Sequence, residues 1–291
     1  MRWEDRRTAG IGVATVALAV LAFTGIATAG DRDDAGPEND AQPRGKDDEV
    51  LVPPPPGRAA TPEDPLRVVI LGDSVAQDSA VGLQAALEST GAVAVESQFP
   101  ITFGLTRPYD WRTEFGGLVR EQGTEVAVLF LGGSWDQPSA IADTEAYRGI
   151  VQEAVDVLGS TGGHVVIIGA PPTYEDLLPE LNRDVMNEVY ASMERLRPGV
   201  ASYLDPDPAL AASPTGEGGF VEHLPTADGR IARIRKSNAH VCPEGAARLG
   251  NDLRQAIAEI NPLPAPDPTW YWGGWRSSFL YTSSPPGACD F

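Results

Sequence analysis

Beyond residue 65 the chain alternates between short runs that are apolar at almost every position and longer stretches in which apolar residues recur every three or four. The short runs, residues 67–71, 92–96, 126–131, 164–168 and 201–204, are largely β-branched or aliphatic and predict strands. The longer ones, residues 76–89, 111–122, 141–158, 179–196 and 243–260, carry helical spacing. Strands with no polar face need helices on both sides of the sheet, so the pattern predicts a doubly wound α/β domain around a parallel five-stranded sheet. In such sheets ligands bind beyond the carboxyl ends of the strands. The residues that follow each run are therefore the ones to read for chemistry.

The first thirty residues follow a different pattern. No charge occurs in residues 8–30, Arg2, Arg6 and Arg7 precede the segment and an acidic run from Asp31 follows it, which orients the amino terminus inside. Its length is close to the roughly twenty residues of a membrane span, which fits a retained anchor over residues 9–29. The small residues Ala27-Thr28-Ala29 fit a cleaved signal peptide equally well. Either way the remainder is expected to be exported, extracellular or held at the outer face of the cytoplasmic membrane. Residues 31–64 are acidic, with four consecutive prolines at 53–56, and read as a disordered spacer. The folded domain is expected over residues 65–261, followed by an aromatic tail over 262–291.

Composition narrows the classes further. Hydrophobic residues make up 42% and charged residues 22%, which excludes a wholly disordered chain and a multi-span membrane protein. Twenty-two basic against 41 acidic residues leave a net charge of −19, which would repel a phosphate backbone, so nucleic acid is not an expected partner. Two cysteines, Cys242 and Cys289, are too few for a disulfide scaffold and lack zinc-site spacing, so neither metal nor cofactor is expected. In an exported chain the two could form a bridge; the alternative is a pair of free thiols.

After the first run comes Gly72-Asp73-Ser74-Val75, followed by a helical pattern. A serine at a strand-to-helix turn can present its hydroxyl above the sheet with its own N–H at a positive helix start. The turn lacks both the dinucleotide and the phosphate-loop glycine patterns. On its own it could equally be a helix cap. A serine hydroxyl needs a base, and histidine is the usual one. His164 opens a predicted buried strand and reads as structural, and His223 lies in a loop rich in glycine and proline. His240 stands just before the last helix, where it can fold back over the strand ends toward Ser74.

These residues resemble the SGNH (GDSL-type) hydrolase superfamily across residues 66 to about 258. The Gly72-Asp73-Ser74 turn, the Gly132-Gly133-Ser134-Trp135-Asp136 segment after the third run and His240 just before Cys242-Pro243-Glu244-Gly245 carry the resemblance. It implies an SGNH/flavodoxin-like fold, Ser74 as nucleophile, His240 as base, and an oxyanion held by the Ser74 N–H, the N–H of Gly104 and a side chain of the third segment. Trp135 or, with a one-residue shift, Ser134 stands where the superfamily has asparagine; both side chains carry a donor. Ser237, three residues before His240, stands where the superfamily has the orienting aspartate. The resemblance thus implies either a Ser-His dyad or an acid recruited from elsewhere, with Asp136 and Asp110 as first candidates and Asp73 and Asp136 as second-layer residues. The tryptophan of the third segment is also similar to extracytoplasmic SGNH domains associated with envelope O-acyltransferases of actinobacteria.

The tail carries Trp270, Tyr271, Trp272, Trp275, Phe279 and Tyr281. It could stack on sugars, but it reads more naturally as a tape across the domain, pinned by Cys289 to Cys242. Two function classes result. One is an exported serine esterase or O-acyltransferase acting on acyl esters, acetyl in the first instance, of envelope polysaccharide or similar carbohydrate, with a membrane acyltransferase as a separate partner chain. The other is a non-catalytic module of the same fold that binds envelope glycan. A lipoprotein is disfavoured, because no cysteine follows the apolar segment.

Overall fold

Strand β1 (Leu66–Gly72) is buried at every position but Arg67, and its side chains serve two cores in alternation. Val69 and Leu71 join one cluster, whereas Leu66, Val68 and Ile70 join the other. This is why the run reads as continuously apolar rather than alternating. Each such side chain contributes about 1.5–3 kcal/mol on burial.

The computed structural model describes residues 57–282 except 101, 133, 175, 212–218 and 227, and also Cys289. The expected anchor over 1–30 and all but the last residues of the expected spacer lie outside the described residues. Among the described residues no helix is long and apolar enough to cross a membrane.

The chain then runs through helix α1 (Ser74–Glu88), β2 (Val93–Gln98), α2 (Trp111–Gln122), β3 (Val126–Phe130), α3 (Gln137–Ala142), α4 (Thr144–Leu158), β4 (His164–Ile168), α5 (Glu180–Leu196), β5 (Ala201–Leu204) and α6 (Asp207–Leu210). A hairpin of β6 (His223–Pro225) and β7 (Ile231–Arg233) precedes α7 (Pro243–Ile260). The tail forms two 3-10 turns, Trp270–Trp272 and Gly274–Ser277, and α8 (Phe279–Thr282). Strands β1 to β5 form one parallel sheet in the order β2-β1-β3-β4-β5, the doubly wound arrangement that the pattern predicts. The predicted helix over 141–158 is broken. Asp143 takes an extended conformation and accepts from Ala146 N–H, so α4 begins with a cap of its own. The three-residue strands of the β6–β7 hairpin are too short to leave a period in the sequence.

Two features of the packing bear on the site. At Gly72 a Cβ would lie 1.9 Å from the Phe130 carbonyl oxygen, so only glycine lets the ends of β1 and β3 approach this closely. Helices α1 and α7 meet across glycines in the same way: a Cβ on Gly82 would lie 2.6 Å from the Ala246 Cβ. Because Ser74 opens α1 and His240 stands just ahead of α7, this helix pair determines how near the two residues come.

Candidate active site

Ser74 occupies the first position of α1, where a backbone N–H has no acceptor within the helix. The turn before it is fixed by the buried Asp73 carboxylate, which accepts from Val75 N–H at 2.9 Å, from Ala76 N–H at 3.4 Å and from Gly132 N–H at 2.7 Å. Asp73 therefore caps the helix and ties the end of β1 to the end of β3. Burial pushes its carboxyl up to about 6, opposed by these three N–H bonds.

His240 reaches Ser74 from the other end of the chain, with Nε2 3.2 Å from Ser74 Oγ. It leaves a tight turn in which Ala239 N–H donates to Lys236 C=O and Lys236 N–H donates to His240 C=O. Ala239 closes this turn at φ 68°, a left-handed conformation that costs a residue with a Cβ of order 1 kcal/mol. The fully buried Arg235 holds the strain in place: its guanidinium donates to Ala239 C=O through Nε at 2.7 Å and to Pro172 C=O through Nη1 at 3.1 Å. Burial lowers the pKa of Arg235 to about 9.

The carboxylate on the far side of the imidazole belongs to Asp78, whose Oδ2 lies 3.0 Å from His240 Nδ1. Asp78 is 2% exposed. The same oxygen accepts from Lys236 Nζ at 2.8 Å, and this buried ammonium also donates to Leu280 C=O at 2.6 Å. An ionised carboxylate can only accept, so Nδ1 carries the imidazole proton and Nε2 is free to accept the serine proton. A serine, a histidine and an aspartate thus stand in line, with the serine and the aspartate on one helix, four residues apart.

This arrangement corrects the sequence reading of the acid. Ser237 is exposed and makes no side-chain hydrogen bond to His240 among the described residues, and neither Asp136 nor Asp110 takes that place. Asp136 is buried and accepts from Leu105 N–H, from Thr106 N–H and hydroxyl, and from Tyr147 OH, which ties the loop after β2 to the turn after β3. Asp110 caps α2 by accepting from Thr113 N–H. Asp78 was missed because one aspartate in a helical stretch looks like a solvated face. The available signal was its i,i+4 spacing from Ser74, with Ala80, Leu83 and Leu87 marking that part of the helix as buried. Lys236 left no sequence signal, since its partners are 158 and 44 residues away.

The remaining residues named from sequence fall as follows. Gly104 is buried against the third segment, and a Cβ there would lie 2.6 Å from Asp136 Oδ1 and 3.0 Å from the Trp135 Cβ. The Ser134 side chain has no hydrogen-bond partner among the described residues and is half-buried; Trp135 is 36% exposed. Gly133 lies outside the described residues. His164 is held by Gly199 C=O and Ser202 Oγ, and His223 is exposed in β6. Cys242 and Cys289 form a disulfide, and the tail is further fastened by Tyr281 OH, which donates to the Asp78 carbonyl at 2.7 Å. A cavity of about 370 Å³ between the β6–β7 hairpin and the tail includes neither Ser74 nor His240.

The chain belongs to the family described as a protein of unknown function, DUF459, whose model matches residues 67–256. No curated protein matches it. Among solved structures it is similar to the lipase/acylhydrolase from Enterococcus faecalis (16% identity, TM-score 0.50, 69% of this chain and 98% of that one). A carbohydrate acetylesterase family member from Sinorhizobium meliloti (12%, 0.48, 67% and 98%) and a GDSL-like lipase from Bacteroides thetaiotaomicron (13%, 0.47, 66% and 88%) are further matches. The fold is that of the SGNH/GDSL hydrolases.

Proposed function

We propose that this chain is an exported serine esterase or O-acyltransferase, acting on acyl esters of envelope carbohydrate through Ser74 and His240. The observation that carries the reading is the line of contacts Ser74 Oγ to His240 Nε2 and His240 Nδ1 to Asp78 Oδ2. Ser74 Oγ attacks the acyl carbonyl while His240 takes its proton, and Asp78 offsets the imidazolium charge. The tetrahedral oxyanion is held by the Ser74 N–H, with Gly104 and the Ser134–Trp135 turn as further donors. The imidazolium then protonates the departing sugar oxygen. Water deacylates the enzyme in hydrolysis; a sugar hydroxyl does so in transfer, with a separate membrane acyltransferase as the source of acyl groups. The disulfide agrees with an oxidising, exported setting.

The test is labelling of the full chain by a fluorophosphonate, together with acetate release from 4-nitrophenyl acetate and from acetylated polysaccharide. A Ser74-dependent adduct and turnover are expected. An adduct that persists in Ser74→Ala, or none in the wild type, would favour a glycan-binding module instead.

A further inference from the structure

We infer that Arg107 and Trp135 form a specificity platform beside Ser74 that selects esters of acidic sugars, the indole lying against the sugar ring and the guanidinium pairing with its carboxylate or phosphate. This rests on the ester chemistry proposed above.

Trp135 is fixed in position although it is 36% exposed. Its neighbour Asp136 is bonded to Leu105 and Thr106, and its Cβ packs on Gly104. Three residues earlier, Gly132 N–H sits on the Asp73 carboxylate next to Ser74, so the indole stands at the rim of the proposed oxyanion region. Arg107 leaves the same loop, its backbone N–H donating to Gly104 C=O, and its guanidinium carbon lies over the indole, 5.3 Å from the ring centroid.

Arg107 shares its lack of a carboxylate partner among the described residues with the exposed Arg120 and Arg195, and what distinguishes it is its place over the Trp135 indole beside Gly104. Arg58, Arg112, Arg197 and Arg276 each hold a carboxylate, at 2.6–3.4 Å. Arg107 is exposed and has no carboxylate partner among the described residues, in a chain with 41 acidic side chains. The indole N–H likewise has no partner among the described residues. A planar guanidinium is a fork for a carboxylate or phosphate, and stacking on the indole pre-orients it without satisfying its donors. An exposed aromatic face next to it suits the C–H face of a pyranose. The chain as a whole repels anions, so an acidic substrate would bind through this local cation alone.

The experiment compares kcat/KM of the full chain for two pairs of esters. One pair is the 3-O-acetyl methyl glycoside of galacturonic acid against that of galactose, and the other is 3-O-acetylglucose 6-phosphate against 3-O-acetylglucose. The wild type is expected to favour the acidic member of one pair by about tenfold, as one charge-assisted pair of about 1.4 kcal/mol provides. The pair that shows the preference identifies carboxylate or phosphate. In Arg107→Gln the ratio should collapse toward one, and because it is a ratio, a general loss of activity cancels. Binding of galacturonate and of glucose 6-phosphate to the Ser74→Ala chain, followed by calorimetry, supplies a readout independent of turnover and should weaken on Arg107→Gln. Ratios near one in the wild type, or unchanged by Arg107→Gln, overturn the platform while leaving the ester chemistry intact. Failure of the wild type on 4-nitrophenyl acetate as well would remove both.

Discussion

The serine half and the histidine half of the site are built by different means. Around Ser74 the supports are local or belong to the sheet: a strand end, a helix start, one buried aspartate and a glycine that lets β1 meet β3. Around His240 they come from far along the chain. Its turn contains a left-handed alanine, and it is held by Arg235, by Lys236 on Asp78, by the Leu280 carbonyl and by a disulfide two residues further on. The serine is thus placed by secondary structure alone, whereas the histidine that faces it requires a tertiary clamp.

The sharpest way to break this comparison is Asp78→Asn, which removes the charge that joins the halves. Turnover of 4-nitrophenyl acetate should fall by about 10³–10⁴, the loss seen when a triad carboxylate becomes an amide. The same change strands the buried ammonium of Lys236 and should destabilise the fold by about 3–5 kcal/mol in urea. Asp136→Asn, which loosens only a loop anchor, should cost much less activity. Equal losses in the two variants would mean that the carboxylate acts through the scaffold rather than through the imidazole.

Next in size is the clamp itself. Cys289→Ser opens a loop of 47 residues, and the entropy of such a loop corresponds to about 4 kcal/mol. The loss should appear in chemical denaturation and be accompanied by faster proteolysis within 270–282, because α8 and Tyr281 are otherwise held to α1 by few bonds. An unchanged denaturation midpoint would show that the tail contributes nothing to the histidine half.

The same division explains what could be read from sequence. All five strands of the sheet, and helices α2 and α7 to the residue, follow from apolar periodicity: the central strands β1, β3 and β4 lie between two cores, and α2 and α7 each bury one face against a single core. Ser74 and His240 were legible because strand-turn-helix position and chain order suffice to single them out. Asp78 and Lys236 were not, since their roles exist only once α1, the turn before α7 and the tail are assembled. The expectation of an acid recruited from elsewhere was met at a residue other than Asp136 or Asp110, while Ser237, in the turn ending at Ala239, lies exposed.

On the serine half, pH is the probe. Burial holds the Asp73 carboxyl at about 6, against about 3.9 in an unfolded chain, so the folded protein keeps this proton more tightly. Stability relative to Asp73→Asn should therefore fall as pH rises from about 4 to about 6, by roughly 3 kcal/mol, and then level off. Urea midpoints of the two proteins measured across this range should converge or cross in that sense. A difference that grows with pH would show that the three N–H bonds outweigh burial and hold the carboxyl low.

The smallest expected effect bears on how the halves communicate. Lys236→Met removes the ammonium paired with Asp78 but leaves the imidazole contact, so kcat should fall by about tenfold, the equivalent of one charge-assisted bond. The informative measurement is the double variant. If Lys236 acts only through Asp78, adding Lys236→Met to Asp78→Asn should cost no further activity, and it should recover stability, because the ammonium left without a counter-charge is gone. Losses that add in full would place Lys236 outside the relay, as a support for Leu280 and the tail alone. The sign of the stability change separates these cases even where activity is too low to measure: recovery requires the lysine and the aspartate to be partners, whereas further loss requires the lysine to hold the tail independently.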